Sequence, residues 1–212
     1  MDLSDPLSAV IPSAHGAVLA VLARTTEPLS GRKVAELVNG KVGQWRVNAV
    51  LGELADAGVV LRESRPPAKL YRLNREHVAA PGVLALADMW GLLLERIRGD
   101  FQAWAQPPLA ACLFGSAARG EAGPDSDIDL LVIHRATNND NESQDVWHRQ
   151  VDGLMSNVAA WSGNQCEVLE LTLDELEAAA VRKDRLASDL DADAINLFGP
   201  DVRTLLRKAT MR

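Results

Sequence analysis

Residues 113–134 read LFGSAARGEAGPDSDIDLLVIH, a glycine turn between two segments typical of buried strands. Asp127 and Asp129 are two residues apart in the second segment, so in a strand both side chains project from one face. Ile128 and Leu130 then project to the opposite face, which we expect to be buried. Two neighbouring carboxylates repel each other unless a cation lies between them. Because hard oxygen donors without nearby Cys or His favour Mg²⁺, the pattern predicts a magnesium site on this strand.

The turn before the aspartates predicts an anion site. Gly115 and Ser116 end the first segment and precede a short helix or turn, where free backbone N–H groups bind anions. The Ser116 hydroxyl and Arg119 add donors suited to a triphosphate. A metal site facing such an anion site suits in-line phosphoryl or nucleotidyl transfer.

A third carboxylate is expected from the strand-like segment CEVLELT, residues 166–172. The segment contains Glu167 and Glu170, which strand alternation places on opposite faces. Only one of them can join the aspartates, and the pattern leaves both open.

Gly115-Ser116, ten intervening residues and Asp127-Ile128-Asp129 together resemble the signature of the polymerase-beta-type nucleotidyltransferase superfamily. The longer stretch FGSAARGEAGPDSDIDLLV resembles the minimal nucleotidyltransferase branch, and the resemblance extends over residues 108–200, including the late INLFGPD. It implies a mixed sheet flanked by helices. It also implies two Mg²⁺ ions and transfer of a nucleoside monophosphate from a nucleoside triphosphate to an acceptor.

The resemblance also implies roles for individual residues. Asp127 and Asp129 would hold the metals, while Gly115 and Ser116 would bind the β- and γ-phosphates. Arg119 would assist at the phosphates.

The third carboxylate of the family lies in a hydrophobic-acid-hydrophobic setting, which Cys166-Glu167-Val168 matches. Glu167 would therefore bind the metal beside the acceptor hydroxyl and assist its deprotonation. The family often has Asp at this position, and Glu170 is the alternative.

The first third of the chain has a different pattern. Apolar residues at helical spacing predict three helices: one over residues 15–24, one that begins after an N-cap at Ser30, and one over residues 44–58. Two strand-like segments follow, separated by a turn at Pro66-Pro67. This order resembles the winged helix-turn-helix of bacterial regulators over residues 10–75.

In that module the third helix enters the major groove and the hairpin contacts the flanking backbone. The resemblance implies DNA contacts from exposed side chains of the third helix and of the wing tip: Gln44, Arg46, Asn48, Arg65 and Lys69. Trp45 could stack on a base or sugar, but an aromatic residue at such a position more often belongs to the core, which is the prediction here. Modules of this kind can also serve only as dimer or partner interfaces.

The charge distribution supports two modules. Residues 1–80 hold 10 Lys/Arg and 8 Asp/Glu, whereas residues 81–212 hold 12 and 21. Residues 28–72 hold 8 basic and 4 acidic residues, which favours a polyanionic partner for the first module.

We therefore predict an α+β or α/β chain of three parts. Residues 1–78 form a winged helix-turn-helix domain, 79–107 a linking helix and 108–212 a nucleotidyltransferase domain. Within the linking segment, helical periodicity predicts one long helix over 83–104. Cys112 and Cys166 lie far apart without metal-ligand spacing, which indicates a reducing cytoplasm. No segment is apolar enough for a membrane span, and the acidic N-terminus does not resemble a signal peptide.

The predicted function is nucleotidyl transfer to a protein or RNA acceptor, because so short a transferase domain leaves little chain for a small-molecule pocket. The alternative is a DNA-binding regulator, or an antitoxin, whose nucleotidyltransferase fold binds nucleotide or a partner toxin without turnover. Homodimerisation is expected in each case, because single winged-helix modules bind DNA weakly.

Overall fold

The computed structural model describes residues 2, 5, 7–38, 40, 42–135 and 141–210. Its internal contacts divide the chain into two compact units, one formed by Asp5–Trp90 and the other built on Gly91–Arg212. The division falls within the segment 79–107 that was assigned to a linking helix.

The described residues of the first unit form five helices and a small sheet. Its elements in chain order are α1 (Leu7–Val10), α2 (Ala14–Ala23), β1 (Leu29–Ser30), α3 (Gly31–Leu37), α4 (Gln44–Asp56), β2 (Val60–Arg65), β3 (Ala68–Leu73) and α5 (Ala80–Ala87). The strands pair antiparallel in the order β1-β3-β2. The three predicted helices and the predicted hairpin therefore form at the expected positions.

Local chemistry accounts for the ends of these helices. Ser30 accepts a hydrogen bond from the Lys33 N–H at 3.2 Å and is the predicted N-cap of α3. The fully buried Val47, Val50 and Leu51 fix the inner face of α4 against the core. Gly58 follows α4 with φ of +76°, a conformation that glycine adopts without strain.

The second unit is a four-stranded sheet with helices on both faces. Its elements are α6 (Met89–Gln102), β4 (Ala110–Phe114), α7 (Gly115–Ala118), β5 (Ile128–His134), α8 (Asn141–Ser162), β6 (Cys166–Thr172), α9 (Leu173–Arg182), α10 (Arg185–Asp193), β7 (Ile195–Phe198) and α11 (Val202–Thr210). The strand order is β6-β5-β4-β7. Because β5 and β6 are parallel and the other pairs antiparallel, the sheet is mixed, as predicted.

The predicted long helix over 83–104 is wrong. The structure has two helices, α5 and α6, interrupted at Asp88, whose φ of −104° and ψ of 20° leave the helical region. The apolar stripe continues across the break, so periodicity alone does not reveal it. Aspartate favours helix ends because its side chain competes for backbone hydrogen bonds. Helix α5 starts earlier than expected, since Pro81 occupies its first turn, where proline is tolerated.

Burial at the centre of the sheet holds the strand register. Leu130, Leu131, Val132 and Ile133 of β5 are all fully buried, as Ile128 is. One face of β5 packs against three helices, through a cluster that includes Leu176 of α9, Leu190 of α10 and Leu206 of α11. A one-residue slip of β5 would exchange its two faces, so this packing fixes where the aspartates lie.

Part of the polar loop predicted over 136–143 lies outside the described residues, which omit 136–140. The remaining three positions belong to α8, which begins at Asn141 rather than at Asp145.

The predicted capping box at Thr172 joins β6 to α9 and is confirmed. The Thr172 hydroxyl accepts from the Glu175 N–H at 3.2 Å, and the Glu175 carboxylate accepts from the Thr172 N–H at 2.8 Å. The hydrogen bonds from the backbone and side chain of Thr172 lower the pKa of Glu175.

Thr172→Ala should lower the free energy of unfolding by about 1 kcal/mol, because the first turn of α9 loses its cap. The stabilisation by a carboxylate of lowered pKa is present above its unfolded pKa and is lost as the pH falls through its folded pKa. The difference from wild type should therefore shrink in acid. Urea denaturation at several pH values measures this difference in the free energy of unfolding. Thr172→Ser is the control, because serine keeps the cap; equal unfolding midpoints for Thr172→Ala and Thr172→Ser would contradict the prediction.

Candidate active site

The aspartates and a glutamate meet across two parallel strands. Asp127 immediately precedes β5, and Asp129 is the second residue of that strand. In the β5–β6 register Asp129 is paired with Glu167, and Ile128 with Cys166. Neighbouring parallel strands present register partners on the same face, so the Asp129 and Glu167 side chains lie side by side.

The electrostatics of Asp129 reflect this arrangement. Partial burial raises the pKa of the Asp129 carboxyl, and the negative charges of Glu167 and Asp127 raise it further. Arg119 opposes the rise with its positive charge. The charges of two carboxylates and one guanidinium therefore act on Asp129 at this edge of the sheet.

Gly115 is fitted closely to the same carboxylate. It follows β4 directly and has φ of +71°, in the left-handed region that favours glycine. A Cβ atom on Gly115 would lie 2.3 Å from Asp129 Oδ2. The glycine is thus required both by its backbone conformation and by the close approach of Asp129.

Glu170 lies apart from the three carboxylates. It pairs in register with Val132, three residues further along β6 than Glu167. Its carboxylate accepts a hydrogen bond from the Trp147 indole N–H of α8. Since α8 covers this side of β6, Glu170 has a structural partner there, whereas the Glu167 side chain is exposed.

Ser116 and Arg119 lie around the short helix α7, which starts at Gly115. Ser116 is half-buried next to the turn. Arg119 donates to Glu121 Oε2 at 2.8 Å and lies 3.6 Å from Asp193 Oδ2 of α10. The hydrogen bond with Glu121 raises the pKa of Arg119. The sequence predicts Arg119 as a site residue but neither of its acidic partners. Glu121, two residues away, could have been recognised as a local ion-pair partner, whereas Asp193 is distant in the chain.

The donor set suits a hard divalent cation. Among the described residues, no group of three or more His, Cys, Asp or Glu side chains is arranged to hold a metal ion as it stands. The chemistry nevertheless fits, because the raised pKa of Asp129 arises in part from two neighbouring carboxylates whose repulsion a cation would relieve. Asp127, Asp129 and Glu167 are the residues that could hold Mg²⁺.

The two cysteines are unsuited to nucleophilic chemistry. Both are free and buried, and burial raises the pKa of each thiol to about 12. Asp129 and Glu167 add to the rise at Cys166. The thiolate is the reactive form, so neither side chain is a candidate nucleophile.

Residues 94–177 match a family model described as the nucleotidyltransferase domain. This segment of the chain is therefore similar to nucleotidyltransferase domains. The match runs from α6 into α9 and includes the glycine turn, both aspartates and Glu167. No curated protein matches the chain significantly.

Solved structures similar to this chain include toxin–antitoxin complexes. One, crystallised with AMP-PNP, is 21% identical, with a TM-score of 0.38; the alignment covers 56% of this chain and 84% of that chain. The MntA-HepT toxin–antitoxin is 20% identical, with a TM-score of 0.35 and coverage of 57% and 84%. At these scores the likeness supports no conclusion about this chain. None of the helices in the described ranges is long and apolar enough to cross a membrane.

The choice between the two glutamates can be tested directly. Glu167→Gln should reduce nucleotidyl transfer by at least roughly a hundredfold, because it removes a ligand charge and a proton acceptor. Glu170→Gln should leave transfer within about twofold of wild type and weaken only the contact with Trp147. Transfer rates and thermal melts of both variants decide the assignment; the reverse pattern would identify Glu170 as the third carboxylate.

The predicted DNA-contacting residues all belong to the first unit. Gln44 and Arg46 are exposed in the first turn of α4, and Arg46 lies 3.1 Å from Glu53. The Asn48 side-chain oxygen lies against Gly31, where a Cβ would be 2.0 Å away, so Asn48 bridges α4 and α3.

At the hairpin tip, Arg65 is exposed and lies 3.1 Å from Glu63. Lys69 is exposed on β3, with no ion pair among the residues that the structure describes. The expectation that Trp45 belongs to the core is wrong: its side chain is 81% exposed. It lies on the side of α4 opposite the buried valines, where none of the described residues of its unit covers it.

Proposed function

We propose that this chain transfers a nucleoside monophosphate from a nucleoside triphosphate to a protein or RNA acceptor. The observation that carries the proposal is the register pairing of Asp129 with Glu167, beside a glycine turn fitted to the Asp129 carboxylate. The nucleotidyltransferase-domain match covers all of these residues.

Asp127, Asp129 and Glu167 would hold two Mg²⁺ ions, which when bound supply charge neutralisation for the triphosphate and the acceptor oxygen. Gly115 and Ser116 bind the β- and γ-phosphates with backbone N–H groups and the serine hydroxyl. The exposed Glu167 faces the side from which an acceptor hydroxyl arrives and takes its proton.

Arg119 binds the triphosphate by exchanging partners. Its guanidinium is already close enough to influence the charge state of Asp129. Its ion pairs with Glu121 and Asp193 are solvent-exposed, and such pairs contribute little stability, so a phosphate group can replace them.

The same ion pairs favour a second candidate function. With Arg119 held by two acidic side chains, the fold could bind nucleotide or a partner toxin without turnover, as a regulator or an antitoxin. Both candidates use the same aspartates, and they differ in the release of pyrophosphate.

Incubation of the purified protein with Mg²⁺ and each nucleoside triphosphate, radiolabelled at the α-phosphate, tests the proposal, with host lysate as the acceptor source. The expected result is a labelled protein or RNA that is absent with the Asp127→Asn/Asp129→Asn double variant. Saturable nucleotide binding without any label would favour the second candidate. Equal labelling by wild type and double variant would contradict the site.

For the first unit we propose a winged helix-turn-helix that binds duplex DNA as a homodimer. Support comes from three helices, α2 to α4, followed by the β2–β3 hairpin, and from the basic balance of residues 28–72. We assign the protein to the cytoplasm, where nucleoside triphosphates are abundant and cysteines such as these two stay reduced.

A further inference from the structure

Trp45 occupies an unusual position for a large apolar side chain. Among the described residues it is the only aromatic that is largely exposed, at 81%. Tryptophan is highly buried on average in folded proteins. Exposed tryptophan is enriched at interfaces, where its ring contributes a large contact area with little loss of conformational entropy.

The geometry of α4 keeps Trp45 out of its own core. With 3.6 residues per turn, Trp45 lies opposite the stripe formed by the buried Val47, Val50 and Leu54. Those side chains are held in the core of the first unit, so α4 cannot rotate to bury the indole. Ala49 and Gly52 share the face of Trp45, and these three residues are called the α4 outer face below; the Asn48 side chain instead lies against Gly31 of α3.

Gly52 also lies on the α4 outer face, and like Gly82, Gly99 and Gly153 it is a helical glycine with open space where its Cβ would be. Glycine inside a helix costs about 1 kcal/mol relative to alanine. No described atom lies within 4 Å of where a Gly52 Cβ would be, apart from neighbouring residues and the helix's own backbone. Packing within the chain therefore does not require the glycine. An absent side chain lets an external surface approach the helix backbone closely.

Given that the third helix of a winged helix-turn-helix enters the major groove, we propose that Trp45 of α4 packs there against thymine methyl groups and deoxyribose. The inference rests on the proposed DNA-binding function of the first unit and names the residue that supplies its apolar contact. Such a contact carries no charge, so it contributes affinity and sequence preference that do not depend on salt.

Duplex DNA fits this surface better than a second copy of the chain does. The residues next to Trp45 along the chain, Gln44 and Arg46, are polar and exposed. A protein–protein interface needs a contiguous apolar core, which this face lacks beyond the single ring. The surrounding segment 28–72 is basic, with 8 basic and 4 acidic residues, and so complements a polyanion.

Fluorescence anisotropy with a labelled duplex, selected on the wild-type full-length chain from a random-sequence library, tests the inference over a series of salt concentrations. Trp45→Ala should weaken binding roughly tenfold at every salt concentration, with the slope of log affinity against log salt unchanged. Trp45→Phe should recover most of the affinity. Lys69→Ala should instead reduce the slope by about one, as expected for a phosphate contact.

Val78→Ala is the matched control, because Val78 is 92% exposed in the same unit but outside α4; it should bind as wild type does. Wild-type affinity in Trp45→Ala, on a duplex that the wild type binds, would overturn the role of Trp45 and leave DNA binding intact. A wild-type chain that selects no duplex even at low salt would overturn the DNA-binding function itself. Light scattering gives a further outcome. If Trp45→Ala has a lower molar mass than wild type, and the loss of DNA affinity is explained by the loss of the dimer, Trp45 would belong to a contact between copies instead.

Discussion

Asp129→Asn is expected to abolish nucleotidyl transfer while leaving the fold as stable as wild type or more stable. Transfer should fall by at least about a thousandfold, because several kcal/mol of charge stabilisation around the reacting phosphate are lost with the carboxylate. In the free protein the same carboxylate is partly buried beside Glu167 and Asp127, and it is paired in register with Glu167. Removing its charge relieves repulsion that a bound cation would otherwise offset.

The sign of the stability effect follows from the pKa. Burial and the two neighbouring carboxylates raise the folded-state pKa of Asp129, so the folded state holds the proton more tightly than the unfolded state does. The associated stabilisation is complete below the unfolded pKa and is lost as the pH rises through the folded pKa. Asp129→Asn should therefore unfold at a higher temperature than wild type near pH 7, and the difference should disappear in acid.

A matched control is available two residues before the site. Asp125 is exposed in the loop that leads to β5, so Asp125→Asn makes the same chemical change without touching the carboxylate group. It should retain transfer and show no gain in melting temperature. The assignment fails if Asp125→Asn and Asp129→Asn have the same transfer rate and the same melting curve.

Gly115→Ala is expected to have the second largest effect. Its Cβ would lie 2.3 Å from Asp129 Oδ2, so the carboxylate or the turn must move. The positive φ of +71° adds a backbone penalty of about 1–2 kcal/mol for any residue with a Cβ. Together these changes should reduce nucleotide binding and transfer by roughly a hundredfold, since small displacements of catalytic groups have effects of that size.

Gly120→Ala separates the two causes. Gly120 has nearly the same φ, +72°, but no described atom lies within 4 Å of where its Cβ would be. The Gly120→Ala variant should therefore lose stability, as Gly115→Ala does, but it should bind the nucleotide with wild-type affinity. Isothermal titration with a non-hydrolysable nucleoside triphosphate and Mg²⁺, together with urea denaturation, measures both quantities. Equal losses of nucleotide affinity in the two variants would show that backbone strain alone, and not the close approach of Asp129, makes glycine necessary at position 115.

The elements that could be predicted from the sequence are those whose signals lie within a few residues. The apolar run of β5, the N-cap at Ser30 and the capping box at Thr172 all depend on neighbours along the chain, and the structure has each of them. The break at Asp88 could not be predicted from the stripe of apolar residues, because both helices keep the same period across it.

The exposure of Trp45 shows a related limit. Periodicity assigns a residue to one face of α4, but whether another element covers that face depends on the packing of distant segments. The general tendency of aromatic residues to be buried then gives the wrong prediction for this position.

For the candidate site, the residue types and spacing in 113–134 were sufficient to predict paired aspartates next to a glycine turn. The choice between Glu167 and Glu170 needed the register of β6 against β5, which places Glu167 beside Asp129 and brings Glu170 to Trp147. The pairing of Arg119 with Asp193 likewise joins segments far apart in the chain. Alternation along a strand fixes which residues share a face, whereas the alignment of two distant strands is determined by the side chains that pack the core between them.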